Sequence, residues 1–280
     1  MPEVRFRIVN VFAETAFGGN PLAVVEDASQ LDAQTMQAIA SQFNLSETAF
    51  LFESETASAA LRIFTPAYEL PFAGHPALGA AAVVRRVYQT GDTVTLQLPA
   101  GQIALQAQQD RWRLRAPVPL HRLCELDRRQ IAEVLGLGPD QLAGEPVWMS
   151  VQGNEQLLVS VKDEVAIEGC QPDAGLMARR VRNVAGQSKV YVFARTEEGF
   201  LARFFWLKQG CVMEDPGTGS AAANLGGWWQ LQCGRVPLKA QISQGRQTGR
   251  LNCLSLEVAT DGGIYVGGRV VELGCGVLHL

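Results

Sequence analysis

Residues Leu61 to Val84 read LRIFTPAYELPFAGHPALGAAAVV, and this stretch decides the fold. Leu61 and Ile63 alternate with Arg62, the pattern of a half-buried strand ending at Pro66. Leu78-Gly79-Ala80-Ala81-Ala82-Val83-Val84 is too long and too small-sided for a strand, and predicts a buried helix with close neighbours. Between them Gly74-His75-Pro76 makes a tight turn. Pro76 then falls in the first helical turn, where a missing N–H costs nothing. The free N–H groups of such a helix start form an anion site, and His75 stands at its mouth. A carboxylate or a phosphate suits it.

A second stretch is built the same way. Phe200 to Leu207 reads as a strand, Glu214-Asp215-Pro216-Gly217-Thr218-Gly219 as a turn, and Ser220-Ala221-Ala222-Ala223-Asn224-Leu225 as the opening of another small-sided helix. An aromatic-rich strand precedes each copy, Thr48 to Phe52 in one and Val190 to Phe193 in the other. Strand, strand, polar turn and buried helix therefore occur twice, which predicts a duplicated architecture. A helix lined by alanine and glycine on nearly all sides must be surrounded by protein, and a strongly bent sheet wrapped round it is the natural packing.

On these and neighbouring segments the chain resembles the PhzF-type, phenazine-biosynthesis-like isomerase family, related to diaminopimelate epimerase. The matching residues are Val11-Phe12 and Phe17 to Val24, then Asn44 to Phe50, Arg62 to Pro66, Glu69 to Pro76, and Asp215 to Ala221. The resemblance implies an α/β (α+β) fold of two pseudo-symmetric halves, each a curved antiparallel-rich sheet enclosing a central helix. Residues 1–118 form one half, with 272–280 as a candidate completing strand, and 119–271 the other, with the active-site cleft between them.

Bulk properties agree with an ordinary globular protein. Its 280 residues are 47% apolar and 19% charged, and can bury one large core or two modest ones. A net charge of −4 leaves no basic footprint for nucleic acid. No apolar run is long enough to span a bilayer, and the chain opens on a strand-like alternation around Arg5 and Arg7, which predicts a cytoplasmic protein. Six scattered cysteines without a C-x-x-C pair read as buried free thiols, and His75, His121 and His279 are too far apart to suggest a metal cluster. No metal and no cofactor are expected, since no phosphate or dinucleotide fingerprint occurs.

Along the chain, Asp32 is expected to cap a helix ending at Phe43, and Gly91 to stop the helix that follows His75. Pro117 and Pro119 mark the expected linker. Pro172 is expected to start a helix through Val181, and Gly226-Gly227 to interrupt the second buried helix.

Glu47 opens an apolar strand between Ser46 and Thr48. An exposed strand-end carboxylate is the plain reading; the resemblance implies the proton-transferring acid/base instead, with a pKa raised by aromatic walls. His75 could merely cap or pack, whereas the resemblance implies substrate binding and a proton shuttle. At a helix N-terminus a neutral imidazole is favoured. Asp215 before Pro216-Gly217 is an ordinary turn-former by itself, and by resemblance a second cleft carboxylate. Gly74, Thr218, Gly219 and Ser220 would offer N–H and hydroxyl donors to a substrate carboxylate, and Asn20 is either a turn asparagine or part of the same lining. Diaminopimelate epimerase places a cysteine before each glycine turn. Here Ala73 and Pro216 stand there, so a two-thiol mechanism is excluded.

The resulting expectation is a cofactor-independent isomerase moving a proton within a small carboxylic acid, working as a homodimer. The competing one is a non-catalytic small-acid binding protein on the same fold. A further expectation is that two helix starts converge on one cleft and hold the acid without any Arg or Lys, since neither turn contains one.

Overall fold

The computed structural model describes residues 3–234 and 236–280, so the first two residues of the 1–118 half lie outside the described residues. The chain divides into two units, Met1–Arg115 with Gly267–Leu280, and Ala116–Val266. The first contains β1 (Glu3–Val11), β2 (Asn20–Val25), α1 (Ala33–Phe43), β3 (Thr48–Phe52), β4 (Ala59–Phe64), β5 (Glu69–Leu70), α2 (Gly74–Val87), β6 (Thr93–Leu98), β7 (Gly101–Gln108) and β8 (Arg111–Ala116). The second contains β9 (Leu120–Leu123), α3 (Arg128–Leu135), β10 (Val147–Val151), β11 (Asn154–Val161), α4 (Glu164–Glu168) and α5 (Ala174–Arg180). It continues with β12 (Lys189–Arg195), β13 (Gly199–Lys208), β14 (Cys211–Asp215), α6 (Gly219–Cys233), β15 (Leu238–Gln244) and β16 (Asn252–Val258). The long β17 (Ile264–His279) begins in the second unit and ends in the first.

In the first unit β1 pairs antiparallel with β2, β2 parallel with β3, β3 antiparallel with β4, and β4 parallel with β6. The ladder continues through β7 and β8, and β17 then joins β8 back to β1, so the sheet closes on itself. Within it α2 lies against β1, β2, β3, β4 and β6. The alanine-rich sequence is what lets a helix fit there. A Cβ added at Gly79 would stand 2.6 Å from Leu22 Cδ2 and 3.1 Å from the methyls of Val9 and Val11. On the outer face α1 buries Met36, Ile39 and Ala40 against Val25, Phe50 and Phe64. Asp32 caps it by accepting the Thr35 N–H at 2.7 Å.

The second unit repeats the order. β10–β11 is antiparallel, β11–β12 parallel, β12–β13 antiparallel, β13–β15 parallel and β15–β16 antiparallel. α6 touches β10 and β16, strands from opposite ends of that ladder, so this sheet also wraps its helix. The outer face is covered by α3, α4 and α5 through Ile131, Leu135, Ile167 and Met177. No described helix is long and apolar enough to cross a membrane.

Several local expectations are corrected. Gly226 and Gly227 do not interrupt α6, which runs on to Cys233. Their missing side chains make room for neighbours: a Cβ would stand 2.8 Å from Ile264 Cγ2 at the first and 2.8 Å from Met149 Cε at the second. Gly91 does not stop α2, which ends at Val87 with the Tyr88 N–H on the Val84 carbonyl, and Gln89 takes the left-handed turn (φ 52°). Pro172 starts no helix; Asp173 caps α5 by accepting the Leu176 N–H. Of the cysteines only Cys170 is buried, while Cys211 and Cys275 are exposed.

Candidate functional site

In the first unit Glu47 meets His75 at the start of α2, and the backbone carbonyl of Pro21, next to Asn20, accepts a hydrogen bond from His75. Asn20 is the first residue of β2, Glu47 immediately precedes β3, and His75 is the second residue of α2. Glu47 Oε2 lies 3.5 Å from His75 Nδ1, with Glu47 half-buried and His75 only 7% exposed. Burial lowers the His75 pKa to about 3, against an opposing hydrogen bond to the Pro21 carbonyl. The contact is therefore a carboxylate against a neutral imidazole and not an ion pair. His75 Nε2 is buried and has no hydrogen-bond partner among the described residues. A Cβ at Gly74 would meet nothing within 4 Å, so open space lies over this helix start.

In the second unit Asp215 ends β14 and Thr218 is the N-cap residue of α6, yet the Thr218 side chain does not cap the helix. Its hydroxyl donates to the Asp215 carboxylate. The buried amide of Gln244 holds the turn in place: Nε2 donates to the Asp215 carbonyl at 2.8 Å and to Thr218 Oγ1 at 2.9 Å, while Oε1 accepts the Thr218 N–H at 3.3 Å. Glycine is required at 217, because a Cβ there would lie 2.2 Å from Asn252 Oδ1. Burial first, and the Asp215 charge second, push the Tyr191 phenol above its ordinary range.

Ser220, one residue into α6, belongs to a network that the sequence reading missed. Its Oγ accepts from Asn154 Nδ2 and from Gln156 Nε2, both at 2.9 Å. Asn154 Oδ1 in turn accepts from Lys189 Nζ at 2.9 Å. Behind them the fully buried Asn224 donates to Gln156 Oε1 at 2.8 Å. No basic residue lies within the second turn itself, but Lys189, about 30 residues before it, is linked to its helix start through Asn154.

Strand register shows why these residues meet. In the first unit Thr48 faces Phe64 and Phe64 faces Glu69; in the second Val190 faces Phe205 and Phe205 faces Glu214. Ala23 lies beside Thr48 as Leu157 lies beside Val190. By this register Asn20 answers to Asn154, Leu22 to Gln156, Glu47 to Lys189, Gly74 to Gly219, His75 to Ser220 and Gly79 to Asn224. Asp215 answers to Leu70. Pro216 answers to Pro71 and not to Ala73, which corrects the pairing of the two turn positions; neither proline nor Ala73 can act as a thiol. The signal was present as Gly19-Asn20 against Gly153-Asn154 and Ser46-Glu47 against Ser188-Lys189.

The same register exposes a shared brace. Arg62 grips Glu69 through two hydrogen bonds of 2.7 and 2.6 Å and lies over the Phe64 ring. Arg203 grips Glu214 at 3.0 and 2.8 Å and lies over Phe205. Each brace fixes the short strand from which the chain turns into its central helix.

Comparison with known proteins matches residues 9–274 to the phenazine biosynthesis-like protein family. An isomerase of Pasteurella multocida, not characterised further, is 43% identical over 98% of this chain and 94% of its own. Trans-2,3-dihydro-3-hydroxyanthranilate isomerase of Pseudomonas chlororaphis is 30% identical over 87% of this chain and 86% of its own. Among solved structures, a PhzF-family protein of Bacillus anthracis covers both chains fully with a TM-score of 0.89 at 22% identity, a likeness of fold.

Proposed function

Because the chain belongs to the phenazine biosynthesis-like family and is an isomerase, we propose that it moves a proton within a small carboxylic acid without a cofactor, with Glu47 as the group that takes and returns the proton. The observation that carries this reading is Glu47 Oε2 at 3.5 Å from a His75 held neutral by burial. A carboxylate beside a neutral imidazole takes up a proton more readily than one beside a protonated ring. The buried Nε2 of His75 is a hydrogen-bonding atom for the acid, and the N–H groups at Gly74 favour an anion.

Asp215 is the second proton-handling group of this reading. The Thr218 hydroxyl donates to it and fixes its direction, and Gln244 fixes Thr218. The class of acid is suggested by the 30%-identical relative, whose name specifies trans-2,3-dihydro-3-hydroxyanthranilate. The test is proton exchange in heavy water followed by NMR on that acid. Wild type is expected to incorporate deuterium at carbon, and Glu47→Gln to slow this roughly a thousandfold. Exchange by Glu47→Gln at the wild-type rate sinks the assignment.

A further inference from the structure

Lys189 has no evident structural reason to be where it is. It is half-buried, its nearest charged counterpart in the repeat is the carboxylate Glu47, and among the described residues no carboxylate pairs with it. Its hydrogen bond goes to a neutral amide, Asn154 Oδ1 at 2.9 Å. Burial lowers its pKa with nothing offsetting it. Holding an ammonium partly out of water with no counter-charge is unfavourable unless an anion is supplied from outside.

Counting donors gives the same direction. The Ser220 hydroxyl has two acceptor lone pairs and one proton. Asn154 and Gln156 both donate to it, so both lone pairs are taken and its proton is left to be given away. The Lys189 ammonium has three protons, and Asn154 takes one. Asn154 touches both groups, so it sets the lysine beside the serine. Gln156 and Asn224, fully buried, form a rigid floor that fixes these orientations, and Asn154, Lys189 and Ser220 form the accessible rim. The first N–H groups of α6, a helix of 15 residues, join the same set of donors.

We infer that Lys189, set beside Ser220 by Asn154, is the charge that makes this helix start, whose Ser220 the family resemblance already implies as a carboxylate donor, select an ionised acid. Ser220 donates one hydrogen bond to the carboxylate and Lys189 one or two, while Asn154 positions both and touches the ligand only through them. This inference rests on the reading above for the identity of the acid as a substrate, but not for the existence of the site. The repeat therefore carries a carboxylate at one of its two equivalent positions and an ammonium at the other.

The experiment is calorimetric titration with two probes, 3-hydroxyanthranilic acid and its neutral carboxamide. Because it reads binding without turnover, a failed proton-exchange experiment leaves it untouched, and a failure here leaves Glu47 untouched. Wild type is expected to prefer the acid to the amide by about tenfold or more. Lys189→Met, similar in length and free of charge, is expected to abolish that preference while binding the amide as wild type does. Lys189→Arg is expected to retain the preference, and Asn154→Ala to reduce it in part. Unfolding midpoints of the variants identify any loss that is merely a failure to fold, and Lys189→Arg then decides the case. A Lys189→Met protein that still prefers the acid overturns the inference, as does one that loses acid and amide binding equally. So does a wild type that binds neither probe, or both alike, at millimolar concentration.

Discussion

The two units of this protein have the same strand order, the same central helix and the same arginine brace, and they place different chemistry at matching positions. Where the first has Asn20, Glu47 and His75, the second has Asn154, Lys189 and Ser220. One set contains a carboxylate facing a neutral imidazole, the other an ammonium and a hydroxyl linked by an amide. The central helices diverge in the same sense. Gly79 allows the apolar Leu22 to press on α2, and at the matching place Asn224 and Gln156 hydrogen-bond across the gap. A duplicated frame thus keeps what sets the backbone path, and varies what the backbone presents. The braces at Arg62 and Arg203 are retained because each orients a strand end, and a displaced strand end would move everything after it.

The largest test of this correspondence exchanges the helix contacts. Gly79→Asn drives a polar side chain into Leu22, Val9 and Val11 and is expected to cost about 4 kcal/mol in urea unfolding, from overpacking and from an unpaired buried amide. Adding Leu22→Gln recreates the pair found in the second unit and is expected to recover roughly 1–2 kcal/mol of that loss. If the double variant is no better than the single one, the two helix environments are not equivalent.

Next come the braces. Arg203 is 8% exposed, and besides gripping Glu214 it donates to the Ile167 and Cys170 carbonyls at 3.2 and 2.9 Å. Arg203→Met strands all three acceptors and is expected to cost about 3 kcal/mol. Arg62 and Glu69 are about a third exposed, 33% and 31%, and water replaces what is lost. Arg62→Met should cost about 1 kcal/mol or less. Equal losses in chemical denaturation would contradict the view that burial separates the braces.

The last effect is one of pH, small over any one pH unit. His75 is neutral in the folded protein down to about pH 3, whereas in the unfolded chain it takes a proton near its ordinary value of 6.5. The unfolded state therefore binds more protons between these values, so stability is whole above pH 6.5 and falls as the pH is lowered, by at most ~1.4 kcal/mol per pH unit. The cleanest window is above the carboxylate range, comparing wild type with His75→Gln, which should lack this slope. Ser220 does not titrate, so Ser220→Ala should leave the slope as it is. A wild-type profile matching that of His75→Gln would mean that burial does not hold the imidazole neutral.

The sequence showed a good deal of this, because the decisive features are local. A strand, a turn and an alanine-rich helix are written in consecutive residues, and their recurrence announced both enclosed helices. His75 could be named since it lies inside such a run, and Glu47 through the family resemblance that its Ser46-Glu47-Thr48 segment carries. Gly226 and Gly227 were misread because glycine in a helix is locally unfavourable, while the reason for keeping it comes from Ile264 and Met149, far along the chain. Lys189 was passed over for a related reason. Its link to Ser220 runs through Asn154, which is 35 residues from one and 66 from the other. No periodicity reports such a bond; only strand register does.

The path of β17 has a consequence for how the protein is made. The edge of β1, from Glu3 to Val11, is paired by Val270 to His279, the other end of the sequence. As the chain leaves the ribosome, the first unit holds nearly all its residues early and still cannot shut, because the strand that seals it is synthesised only after the second unit. Through that interval β1 presents an open edge, the kind of surface on which nascent chains adhere to one another. The second unit, made later, needs only residues up to 266 to be complete. The order of synthesis and the order of completion are therefore reversed.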